Sequence, residues 1–139
     1  MEIRYALVAD HATEDKANKP IIIGVFDQVY TAPDTSPVPL PPFFLVAEFN
    51  AHVTEGAEHR LEMRFTDMDG QDLAPRGEMT LKFVPQGPGR PLVARLLAKV
   101  GPGLSVPGIG GYAIHLFVDG IRRGEVSLHV VARPQNPGK

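Results

Sequence analysis

Apolar and polar residues alternate along most of this chain, most regularly towards its C-terminal end. Tyr112, Ile114, Leu116 and Val118 recur at period two, and Val126, Leu128 and Val130 repeat the pattern after a break. Successive side chains of an extended chain point to opposite faces, so each run has one apolar face and one for solvent. Asp119-Gly120 between them is turn chemistry, because glycine takes positive φ without a Cβ clash. The pattern predicts a β-hairpin with Tyr112, Ile114, Leu116, Val126 and Leu128 buried. Such a dry face requires a second layer to cover it.

The rest of the chain reads in similar terms. Ile3 to Asp10 is a predicted strand, and the polar Ala12 to Lys19 is a surface connection. Pro20 to Tyr30 is a second strand. Its Ile21-Ile22-Ile23 run is apolar on both faces, which predicts a place between layers, away from an exposed edge. Gly24 inside it marks a bulge or a close backbone approach. Five prolines (Pro33, Pro37, Pro39, Pro41 and Pro42) make Thr31 to Pro42 an extended crossover that joins a ladder poorly.

Phe43 to Val53 forms a third strand, with Phe43, Leu45, Ala47 and Phe49 on one face and Glu48, Asn50 and His52 on the other. The chain turns at Gly56, and His59 to Thr66 returns with Leu61, Met63 and Phe65 inward. Pairing Phe49 with Met63 sets Glu48 opposite Arg64, and that cross-strand charge pair supports the register. Gln71 to Val84 is a fifth strand, broken near Pro75 and Gly77. Leu92 to Val100 fits a helical stripe (Leu92, Leu96, Leu97, Val100) and an alternating strand equally well; its short length and its neighbours favour the strand. Gly111-Tyr112 at a strand start matches the tyrosine corner of Greek-key sandwiches. The expectation is an all-β chain: an antiparallel β-sandwich of about eight strands, immunoglobulin-like or C2-like. It forms one domain over residues 1–133, with a flexible C-terminal tail over 134–139.

Composition narrows the function classes. A chain of 139 residues is one domain with room for a real core. A net charge of −2 argues against a nucleic-acid binder that relies on bulk positive charge. The absence of cysteine excludes disulfides and thiolate chemistry. The N-terminus lacks the apolar core of a signal peptide, and no stretch approaches the roughly 20 apolar residues of a membrane span. A cytoplasmic location without membrane contact is therefore expected.

Several motifs resemble a known family. Ala6-Leu7-Val8-Ala9-Asp10 followed by Ile22-Ile23-Gly24-Val25-Phe26-Asp27-Gln28-Val29-Tyr30 is similar to the opening of a group of small bacterial proteins. Phe65-Thr66-Asp67-Met68-Asp69-Gly70 and Gly111-Tyr112-Ala113-Ile114 through Val118-Asp119-Gly120 resemble its later motifs. That group is a domain of unknown function. The resemblance implies a small β-sandwich and a strand for Leu92 to Val100. It brings no activity, cofactor or catalytic residue, and the proline-rich crossover departs from its pattern.

The chemistry-bearing residues form no complete constellation. Asp67, Asp69 and Asp72 around Gly70 echo part of a calcium loop, and Glu78 stands at its twelfth position. Gln71 and Pro75 occupy ligand positions, however, and no helices flank the loop, so a hairpin turn is the better reading. His115 and His129 are placed together on the outward face of the last hairpin, but two histidines do not complete a zinc site. Gly108-Ile109-Gly110-Gly111 precedes a strand and offers no helix N-terminus to an anion. Arg90, Arg95, Lys99 and Lys82 make a basic stripe without the aromatics that RNA-binding sheets add. No cofactor and no enzymatic activity are expected. Phe117 and Val131, with Val93 and Leu97, put apolar side chains on outward positions, as partner surfaces do.

The reading is therefore a non-enzymatic interaction or adaptor module with a protein partner or self-association. Phe117, Val131, His115 and His129 form its expected interface. The alternative is a small-ligand or metal-binding sandwich using the loops at one end.

Overall fold

The computed structural model describes residues 1–134. The expected tail, apart from Pro134, lies outside the described residues. Among the described residues the chain is all-β, with eleven strands rather than about eight. They are β1 (Glu2–Glu14), β2 (Pro20–Phe26), β3 (Gln28–Thr31), β4 (Val38–Pro39), β5 (Phe43–Ala51), β6 (Glu58–Asp67), β7 (Gly77–Lys82), β8 (Leu92–Val100), β9 (Ser105–Val106), β10 (Gly110–Val118) and β11 (Ile121–Ala132). A four-stranded sheet has the order β2-β1-β5-β8, and a five-stranded sheet the order β3-β11-β10-β6-β7. The two-residue strands β4 and β9 pair with each other.

The inward rows of both larger sheets belong to one buried cluster. Val8, Leu45, Phe49 and Leu96 come from the first sheet, and Leu61, Ile114, Leu116 and Leu128 from the second. Tyr112, Ile114, Leu116, Val126 and Leu128 are all buried, as the alternation predicts. The Tyr112 hydroxyl donates to the Gly108 carbonyl at 2.6 Å, the backward bond expected of a tyrosine at that corner. Leu92 to Val100 is a strand, the option its length favoured.

Several connections differ from expectation. Pro20 to Tyr30 is two strands in different sheets, because the chain leaves the first ladder at Asp27 and β3 joins the second beside β11. That β3–β11 pairing is parallel, so the fold is not purely antiparallel. β1 continues to Glu14, where a surface connection was expected from Ala12. Only Gly77–Lys82 of the fifth predicted strand joins a ladder of any length. The crossover from Thr31 to Pro42 does link the two sheets, and it contributes Val38 and Leu40 to the core.

The largest correction concerns Phe49 and Met63. β5 pairs with β1 and β8, and β6 pairs with β10 and β7, so these two residues lie in different sheets. A short 3-10 turn at Val53–Glu55 carries the chain between layers. His52 caps it, its ring accepting from the Thr54 amide, while Glu55 accepts from the His52 amide at 2.9 Å. Gly56 follows at φ 88°, a conformation that favours glycine.

The β10–β11 turn is two residues long, with positive φ at both Asp119 (52°) and Gly120 (81°). This geometry matches the right-handed twist of the flanking strands. Asp119 also fastens the turn to β6. Its carboxylate accepts from the Arg60 amide at 2.9 Å and lies 2.6 Å from His59 Nδ1. His59 Nε2 faces the Gly56 carbonyl at 2.9 Å, so the imidazolium satisfies both acceptors.

Leu116 is fully buried, so Leu116→Ala should cost about 2 to 5 kcal/mol by denaturant unfolding. A loss well under 1 kcal/mol would contradict the core described here. The His59–Asp119 pair should make stability pH-dependent. The bond to Asp119 raises the His59 pKa above its ordinary value, and the same bond lowers that of Asp119. A raised histidine stabilises fully below its unfolded value of about 6.5 and loses that contribution as pH rises through its folded value. A lowered aspartate contributes above about 3.9 and loses it as pH falls through its folded value. The pair therefore contributes most between about pH 4 and 6.5. Asp119→Asn, which keeps the turn conformation, should lower Tm near pH 6 and flatten the decline of Tm from there to pH 8. An unchanged pH profile would show the pair to be silent.

Candidate functional site

The exposed apolar side chains concentrate on β2. Ile21, Ile23 and Val25 are 43%, 58% and 61% exposed. The expectation that the isoleucine run lies between layers is thus overturned. Hydrophobicity pointed to burial, but β2 occupies the outer edge of the four-stranded sheet, paired only with β1. The register places Val25 beside Ala9, Ile23 beside His11 and Ile21 beside Thr13. Gly24 sits at φ 72°, and a Cβ there would meet the Asp10 carboxylate at 2.3 Å. Neither the bulge nor the close backbone approach expected at Gly24 is present: the register does not shift, and the close neighbour is the Asp10 side chain.

Edge strands expose unpaired N–H and C=O groups, and proteins usually guard them with charge, shortness or cover. Among the described residues, three of the four edges of the two larger sheets are guarded in this way. β7 carries Glu78 and Lys82, β3 is four residues long, and β8 carries Arg95 and Lys99 and bridges to Val84 through Val93. β2 has seven residues and no charge among them.

The four residues expected as an interface do not gather into one patch. His115 faces Glu125 across the β10–β11 ladder, whereas His129 faces Gly111. Four residues of strand separate the histidines, about 13 Å. Only a loop running from Asp119 to Glu125 would set them opposite each other, and the two-residue turn excludes it. Phe117 lies beyond a bulge at the turn end, and Val131 pairs with Tyr30 near the other end. Phe117 is half-buried, with the Arg64 guanidinium carbon 4.4 Å from its ring centroid. His115 Nε2 meets Thr66 Oγ1 at 3.0 Å, and its Nδ1 lies 3.4 Å from Glu125 without a well-formed hydrogen bond.

Two of the three aspartates of the candidate calcium loop, Asp67 and Asp72, are occupied locally. Asp67 accepts from the Asp69 and Gln71 amides at 2.9 and 3.0 Å, which makes it the organiser of a turn. Asp72 pairs with Arg76 at 3.1 Å. Among the described residues, no three His, Asp or Glu side chains come together as metal ligands would. Of the basic stripe, Arg95 and Lys82 line one polar cleft together with Lys19. Arg90 and Lys99 lie elsewhere.

A buried charge cluster was missed by sequence reading. Glu48 is 3% exposed and accepts from Arg4 at 3.0 Å and from Arg95 at 2.9 Å. Arg95 also donates to the Asn18 carbonyl at 2.7 Å, which ties the β1–β2 turn to β8. Burial raises the pKa of the neighbouring Tyr5 hydroxyl, and the Glu48 charge adds to the effect. The available signal was the one charge on a largely apolar strand; its partners came from β1 and β8, which sequence spacing did not connect. An apolar cleft of about 270 Å³ also opens between the sheets, lined by Leu45, Ala98 and Val100 from one and Met63, Phe65 and Ile114 from the other.

Either arginine alone can satisfy part of the Glu48 carboxylate. Arg4→Ala and Arg95→Ala together should therefore cost about 3 to 5 kcal/mol, more than the sum of the single losses. Strict additivity in a double-mutant cycle would show that the two arginines do not share this charge.

No curated protein matches the chain. No helix among the described residues is long and apolar enough to cross a membrane. A family model described as "Family of unknown function (DUF6941)" matches residues 4–131, from the Arg4 of the charge cluster to the last ladder pairs of β11. With nearly the whole length matched, this chain belongs to that family, DUF6941.

Proposed function

We propose that this chain is a non-enzymatic interaction module, a two-layer β-sandwich of immunoglobulin-like type that takes a protein partner along the free edge of β2. The observation that carries the reading is a seven-residue edge strand without charge whose Ile21, Ile23 and Val25 face solvent. An extended segment added there gains main-chain hydrogen bonds for affinity and alternate side-chain contacts for specificity. The sandwich reading is supported by one core shared between the two larger sheets. The outer face of β10–β11 serves less well as an anchor, since Phe117 is already stacked under Arg64.

A second reading, a small-ligand domain, is favoured by the inter-sheet cleft near Pro75 and Leu104. Its lining is apolar and small in volume, which fits a short apolar ligand.

A photo-crosslinking residue at position 23, compared with one at position 117, separates the surfaces in cells. Crosslinked protein adducts are expected from position 23. They should disappear when Val25→Lys is added, with the melting temperature unchanged. Adducts from position 117 alone would move the interface to the last hairpin, and adducts from neither would sink the interaction reading.

A further inference from the structure

We propose that β2 pairs edge to edge and antiparallel with β2 of a second copy of this chain, in a two-fold arrangement centred on Ile23. The inference rests on β2 being the binding edge and names what the edge binds.

A two-fold contact uses the same patch on both copies, so the patch must complement itself. β2 does so in one register. With Ile23 facing Ile23 of the second copy, Ile21 faces Val25, Pro20 faces Phe26 and Lys19 faces Asp27, each pair occurring twice. Every residue of the strand then has a strand residue opposite it, and the exposed row of Ile21, Ile23 and Val25 becomes a continuous apolar row across the junction. Both ends close with opposite charges. Lys19 and Asp27 are exposed and neither has an ion-pair partner among the described residues.

Neighbouring registers lose this match. Centring on Ile22 sets Lys19 against Val25 and Asp27 against Ala17; centring on Gly24 sets Asp27 against Ile21 and Lys19 against Val29. The pairing removes the one unguarded edge of the four-stranded sheet and makes an eight-stranded sheet from two copies.

Light scattering coupled to size exclusion, over a concentration series of the purified full chain, tests the proposal. The wild type should show a concentration-dependent dimer. Ile23→Lys places two like charges at the two-fold centre and should leave a monomer with the wild-type circular dichroism and Tm. Lys19→Asp and Asp27→Lys should each raise the dimer Kd about tenfold, since each turns two attractive contacts into repulsive ones. The combined Lys19→Asp, Asp27→Lys variant should restore dimerisation, because the charges have only exchanged places. High salt should weaken the wild-type dimer without abolishing it. A wild type that stays monomeric at the highest concentration, or a double variant no better than the singles, overturns this pairing. If position 23 still crosslinks to a different protein in cells, β2 remains a binding edge and only the self-pairing is wrong. If it crosslinks to nothing, both ideas fall.

Discussion

Strand β5 is the constraint on which the rest of the structure depends. It lies between β1 and β8 and is covered on both faces. Phe43, Leu45, Ala47 and Phe49 point into the shared core, while Val46 on the opposite face is fully buried between Leu7 and Leu97. An inward row of this kind is stable only if a second sheet meets it, and the β10–β11 hairpin supplies that surface with Ile114, Leu116 and Leu128. The connections follow from this need. The 3-10 turn after β5 and the proline-rich crossover before it both carry the chain from one sheet to the other.

A strand buried on both faces has nowhere to hide a charge, yet β5 carries Glu48. The two guanidiniums that meet it come from the strands on either side, and one of them continues to the β1–β2 turn. Such a site adds little net stability over an apolar replacement, but losing its partners is costly. The two ion pairs form only in the register of β1, β5 and β8 that brings Arg4 and Arg95 to one carboxylate.

The same sheet ends in contrast. Its β8 edge is charged and bridged towards the second sheet, whereas its β2 edge is apolar and free. An edge of this composition risks association in a protein selected to stay monomeric. Its presence beside well-guarded edges gives the interaction reading its physical basis.

Local pattern by itself determined the strands of the last hairpin, its Asp119-Gly120 turn, the buried set from Tyr112 to Leu128 and the backward bond of Tyr112. Alternation, turn dihedrals and a four-residue hydrogen bond all depend on neighbours in the chain. The family resemblance read from the same residues also held. Tertiary structure decided what pattern does not encode, namely which strands become neighbours. Phe49 and Met63 alternate as a hairpin would, yet they went to different sheets. His115 and His129 matched as a pair only on a loop length that the true turn does not have. Ile21, Ile22 and Ile23 read as interior because apolar side chains favour burial, but burial requires a covering layer. At the edge of the sheet the chain supplies none, and Ile21, Ile23 and Val25 remain in solvent.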